Sequence, residues 1–162
     1  MKTRILLSNR QRAHGLDGDR LRAAAAAIAT DLWDHPVEIS ITFLGRRAMA
    51  AANREYRGYL GATDQISFPM DHAHPTPDGV RLVGDLLLCP AVIASQCGTR
   101  APDGRPETGV PDREIALVLI HGLLHLHGAT HDGDDDAAAM VAEETRLYAT
   151  HAHRLSGIYL ML

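Results

Sequence analysis

Nowhere does this chain run to the roughly eighteen consecutive apolar residues that a membrane-spanning helix needs, so no such helix is expected. Cysteine is nearly absent. Cys89 and Cys97 stand in no metal-ligand spacing, which excludes a thiolate cluster or a disulfide scaffold. They read as free buried thiols in a reducing compartment. Lysine is scarcer still: fifteen of the sixteen basic residues are arginine, and the net charge is −4. Overall charge therefore gives no support to nucleic-acid binding, and any such role must rest on a local patch. The N-terminal stretch MKTRILLSNRQR lacks the small-residue cleavage site of a signal peptide. Repeats, low-complexity tracts and linkers are missing too. A single domain over 1–162 is the expectation, with 46% apolar residues to fill one core.

What is present centres on residues 114–132, EIALVLIHGLLHLHGATHD. The stretch predicts a long apolar helix. His121 and His125 are four apart and so lie roughly 40° from each other, one turn up. Gly128 stands where a helix commonly ends in a left-handed turn. His131 follows three residues later, close enough for the reversed chain to return it to the same point. Three histidines and one open position describe a catalytic zinc site rather than a closed structural one. The spacing H-x3-H-x2-G-x2-H is that of the long zinc-protease motif HExxHxxGxxH with one change. The protease carries its general-base glutamate directly after the first histidine, where this chain has Gly122. Glycine takes no proton, so the ion is expected without the peptidase mechanism.

The rest of the chain predicts alternating strands and helices. Residues 3–7 suit a short strand. Asp17 caps a helix to about Leu32 that uses the run Ala23 to Ala27. Val37, Ile39, Ile41 and Phe43 alternate with Glu38, Ser40 and Thr42, the pattern of a strand with one buried face. Arg46 to about Tyr56 suits a helix with Met49 and Ala52 inward and its arginines outward. Residues 57–64 form a loop, and Gln65 to Pro69 a short strand. Met70 to Gly79 reads as an exposed loop, its His72 and His74 as surface residues. Leu82 to Pro90 is an apolar strand, and Pro90 starts a helix to about Cys97. Gly98 to Val110 is a loop, after which Asp112 caps the histidine helix. Asp132 to Asp136 open a last helix through Tyr148 or beyond, where acids complement the helix dipole. The acids resemble a calcium loop only faintly, since Ala137 stands where that loop needs glycine. The order predicts an α/β (α+β) domain: a small sheet layered with helices, and a metal-binding helix followed by a glycine turn.

Three stretches together resemble the YbeY family of bacterial rRNA-maturation endoribonucleases. Asn53 to Pro69, NREYRGYLGATDQISFP, is similar to that family's N-x-x-YRG-x5-TD-x-x-SFP segment. Gly84 to Leu88, GDLLL, is like its Gly-Asp strand. His121 to His131, HGLLHLHGATH, resembles its signature HGxLHLxGxxH. The resemblance implies a single α/β domain with a mixed sheet and one zinc ion on His121, His125 and His131. It implies a functional role for Arg57. It further implies a cytoplasmic, metal-dependent, single-strand-specific endoribonuclease of 16S rRNA 3′-end maturation and ribosome quality control. Its partners would be ribosomal RNA, small-subunit proteins and an assembly GTPase, with no membrane. Two departures stand out. Ala129 and Thr130 replace the family's usual tyrosine and aspartate, which puts in doubt any orienting role of that aspartate. His127 replaces an apolar residue, and at about 120° or more from both ligands it should not join them.

For chemistry, three neutral imidazoles leave a zinc ion its full charge to act on a phosphoryl group. Arg57 is placed to clamp a phosphate oxygen with its planar fork; the alternative is a surface arginine paired with Glu55 or Asp64. Asp85 either meets substrate or fixes a loop. Arg46, Arg47 and Arg54 are candidates for the local basic patch. No general base is evident, since Glu114 and Asp112 lie two turns or more before His121. Two other readings compete: a zinc peptidase or amidase, and a non-catalytic ribosome-assembly factor braced by zinc.

Overall fold

Strand β3, Val37–Phe43, alternates buried and half-buried residues along its whole length, as the two-residue side-chain period requires. The structure, a computed structural model, describes residues 2–70, 75–96 and 111–160. On either side of β3 lie β1 (Arg4–Asn9) and β5 (Arg81–Leu88), both parallel to it. β4 (Gln65–Pro69) runs antiparallel along the outer side of β5, so the sheet is mixed, in the order β1-β3-β5-β4. A two-residue ribbon, β2 (Gly15–Leu16) with β6 (Tyr159–Leu160), joins the two ends of the described chain. The sequence pattern did not predict it, because two residues carry no periodicity.

Helix α1 (Gly18–Leu32) starts where expected: the Asp17 carboxylate accepts from the Arg20 N–H. It covers one face of the sheet together with α4 (Pro111–Leu126), and α5 (Asp134–Leu155) packs against both helices. α2 (Arg46–Arg57) and α3 (Pro90–Ser95) complete the helices. α2 shelters the smaller apolar cluster of Met49, Ala52, Ile66 and Cys89. Cys89 is a buried free thiol. The expectations for His72, His74, Cys97 and the 98–110 loop lie outside the described residues. Among the described residues no helix is long and apolar enough to cross a membrane.

α4 is the element that positions everything else. Leu119, Ile120 and Leu123 are fully buried, each worth about 1.5–3 kcal/mol over exposure. The helix is wedged between α5, α3, β4 and β5. Its start departs from expectation. Asp112 lies within the first turn, behind Pro111, and is not the cap. Its carboxylate instead accepts the N–H groups of Gly157 and Tyr159, at 3.1 and 2.8 Å, and ties the end of the chain to α4.

Candidate metal centre

His121 and His125 project from one face of α4 toward a common point. Their Nε2 atoms are 2.9 Å apart. Each Nδ1 is already engaged: that of His121 with Glu144 Oε1 at 2.9 Å, that of His125 with the Ala129 carbonyl at 2.9 Å. Both partners are acceptors, so each Nδ1 is an N–H that donates. In the neutral rings each Nε2 is then a bare lone pair, and two lone pairs face each other. Only a proton or a cation between them relieves that contact. Two imidazole ligands on one tetrahedral zinc stand about 3.3 Å apart, from metal–nitrogen bonds of about 2.05 Å. The observed spacing is a few tenths of an ångström short of this.

The third imidazole arrives through the helix end. Gly128 takes φ +109°. Its N–H donates to the His125 carbonyl and that of Ala129 donates to the Leu124 carbonyl. This pair of bonds is the Schellman closure, which favours glycine at the left-handed position. The chain reverses there and brings His131 over the other two rings, its centroid 5.7 Å from His121 and 5.1 Å from His125. One ring nitrogen from each of the three histidines lies within 4.8 Å of the others. The group is thus able to hold a metal ion, and its all-nitrogen donor set suits a borderline divalent cation such as zinc.

Burial lowers the His125 pKa below the usual histidine value, and the neighbouring His121 lowers it further. That favours the neutral ring a metal needs. Glu144 was missed by sequence reasoning. It is 1% exposed, on the inward stripe of α5 with Met140 and Leu147. A lone carboxylate in an apolar helical stripe was the available signal. It holds the His121 ring through its Nδ1. Thr130 turns away and donates to Asp136 at 3.1 Å. At position 129 the backbone carbonyl does the work, so the change of side chain there costs His125 nothing. His127 stays outside the trio, as expected, with its ring edge-on to Trp33 at 5.0 Å.

Two of the three histidines, His125 and His131, line a cavity of about 780 Å³, with the 127–130 turn, β4, Tyr56 and Arg57 as its other walls. Arg57 therefore lines the same space as these two histidines. It pairs with neither Glu55 nor Asp64 among the described residues; its guanidinium lies 5.2 Å from the Tyr59 ring centroid. Asp64 is instead used locally, accepting the Gln65 N–H at 2.7 Å. Gly122 faces the sheet, where an added Cβ would meet Leu86 methyls at 3.0 and 3.2 Å. Asp85 pairs in register with Ser40 and Phe68, one residue out of step with Leu86. It therefore points to the sheet face away from α4, the face its partner Phe68 takes, and it does not line the histidine cavity. Glu114 is buried two turns back and Asp112 is bound to the chain end, so neither reaches the trio.

A family profile described as Endoribonuclease YbeY matches residues 7–152. An Endoribonuclease YbeY of Neisseria meningitidis serogroup C is 39% identical over 112 residues, 68% of this chain and 61% of that protein. One from Anaeromyxobacter is 38% identical over 128 residues, 79% of this chain and 62% of its own. For one from Beutenbergia cavernae the figures are 32% over 140 residues, 83% and 89%. The chain thus spans about three fifths of the length of the first two relatives. A solution structure of TM1509 from Thermotoga maritima superimposes with a TM-score of 0.60 at 18% identity, over 94% of this chain and 89% of that one. At that identity the likeness speaks for the fold.

Proposed function

The chain belongs to the YbeY family, and on that premise we propose that it is a metal-dependent endoribonuclease of single-stranded RNA. The observation that carries the reading is the convergence of three imidazole nitrogens within 4.8 Å, two of the rings lining a cavity that Arg57 shares. We assign His121, His125 and His131 as ligands of one zinc ion, and Arg57 as the residue that binds the reacting phosphate. The substrate we assign is the 3′ end of 16S rRNA, in maturation and ribosome quality control. Small-subunit proteins and an assembly GTPase are the partners, the cytoplasm the place, and the 162 residues one catalytic domain.

The division of labour follows from the side chains. A bound divalent cation supplies Lewis-acid charge stabilisation and an activated nucleophile. Glu144 and the Ala129 carbonyl hold His121 and His125 in the tautomer that presents Nε2. Arg57, free of ion pairs among the described residues, offers its fork to a phosphoryl oxygen as charge builds there. Gly122 gives the cavity no carboxylate base and its surroundings leave no room for one, which disfavours the peptidase reading.

The test is cleavage of a single-stranded 16S 3′-end RNA by zinc-loaded protein, with Arg57→Ala and His121→Ala beside it. Arg57→Ala should fold normally and lose about 100-fold or more in rate, as removal of a charge-stabilising donor does. If Arg57→Ala cleaves as the parent does, the assignment of Arg57 fails; if the zinc-loaded parent does not cleave, zinc only braces the fold and the catalytic reading fails. The product ends decide the nucleophile. A 2′,3′-cyclic phosphate means attack by the RNA 2′-hydroxyl; a linear phosphate without that intermediate means attack by water.

A further inference from the structure

Beside the histidine cavity the chain exposes an unusual run of rings. Tyr56 and Tyr59 are each 60% exposed, in a chain with 4% aromatic residues. Neither is loose. Tyr56 packs edge-to-face on Phe68 of β4, centroids 5.1 Å apart at 79°. Tyr59 lies under the Arg57 guanidinium. Exposed aromatic surface held in place by its neighbours costs apolar area to leave in water. It is the construction that binds a flat partner at little further entropy cost. Leu60, 88% exposed, extends the same surface.

What fits it is set by the charge around it. Arg46, Arg47, Arg54 and Arg57 fall within an arc of about 100° on α2 at 100° per residue. Against Glu55 alone, these four arginines give the helix a formal charge of 4 − 1 = +3, in a chain of net −4. Rings interleaved with arginines suit a flat base with a phosphate on either side. A double helix keeps its base faces stacked inside and offers these rings nothing.

We propose that Tyr56 and Tyr59 are a base-stacking platform that binds unpaired nucleobases next to the histidine trio, with Arg57 between them on the intervening phosphate. The proposal rests on the RNA reading and names what enforces a single-stranded substrate: bases must be splayed to reach the tyrosines. Tyr56 and Tyr59 are positioning residues here, and they touch no reacting atom.

The test compares two labelled probes by fluorescence anisotropy with zinc-loaded protein. One is a 2′-O-methyl adenine 12-mer, checked intact on a gel afterwards. The other is an abasic sugar-phosphate strand of the same length. Tyr56→Leu and Tyr59→Leu keep apolar bulk and remove the aromatic face. Each should weaken the adenine strand roughly 5- to 100-fold and leave the abasic strand unchanged. Tyr→Phe at either position should restore binding to within about two-fold, since the stacking face survives. A 2-aminopurine placed mid-strand should be quenched by the parent and less so by the Leu variants. If both Leu variants bind the adenine strand as the parent does, the platform is overturned and the patch passes to a protein contact. If both strands weaken equally, it is overturned too, as a backbone effect. If the parent binds neither strand, the RNA reading falls with it.

Discussion

Glu144 is a carboxylate 1% exposed in an apolar helix stripe, a position no charge occupies cheaply without a partner. Its bond to His121 Nδ1 gives it one, and a cation bound on the far side of that ring would complete a carboxylate–histidine–metal chain. Glu144→Ala should therefore weaken zinc binding about 10- to 100-fold, measured by competition with a chromophoric chelator. Glu144→Gln keeps an acceptor without the charge and should fall between. Parent-like affinity in the Ala variant would mean the ring is held by packing alone. His125 makes a separate prediction about pH. Burial holds its folded pKa below the value of about 6.5 expected in the unfolded chain. On acidification the unfolded state takes up that proton first, so it binds more protons than the native state. Stability of chelator-treated protein should thus fall as pH drops below about 6.5 and be insensitive to this group above it. Urea midpoints across that range test it, with His125→Asn expected to show the smaller slope. Equal slopes would assign the dependence to other histidines.

At the scale of elements, α4 presents histidines on one side and Gly122 on another, and the second matters as much. Close approach to Leu86 seats the helix on the sheet. Gly122→Glu, which would restore the protease pattern, must push a carboxylate between them. We expect a loss of at least about 2 kcal/mol in urea unfolding and no peptide release from casein. Unchanged stability would show that helix and sheet part more readily than this contact implies. The same element explains what could be read in advance. His121, His125, Gly128 and His131 lie within eleven consecutive residues and their geometry is local, so spacing alone located them. α1 with its Asp17 cap and β3 with its alternation were legible for the same reason. Asp112 bonds a backbone 45 and 47 positions away, and Glu144 reaches a histidine 23 positions away. No local pattern encodes such partners. Nor does one encode which face of β5 Asp85 takes, because that depends on register with β3 and β4.

For the whole molecule the question is how a chain of net charge −4 approaches a polyanion. The answer lies in how the charge is distributed. The arginines of α2 form a stripe that spans about 16 Å from Arg46 to Arg57 at 1.5 Å per residue. The acids of the α5 start, Asp134 to Asp136, belong to another element. At a Debye length of about 8 Å in physiological salt, a strand on α2 feels that stripe more than charges lying beyond that length. Net charge, which gave nucleic-acid binding no support in the sequence, averages over both. If α2 is the docking edge, affinity for single-stranded RNA should fall with salt, by about 0.7 in log–log slope for each phosphate contacted. Arg47→Gln with Arg54→Gln should flatten that slope by up to about 1.4. Both side chains are exposed, so the fold should be untouched. Arg46 is a poorer choice, because it also donates to the Ala91 carbonyl at 3.2 Å. Arg154→Gln, on the exposed end of α5, serves as the control and should leave the slope alone. Equal flattening in the control would mean that diffuse charge, and not this helix, draws the RNA in.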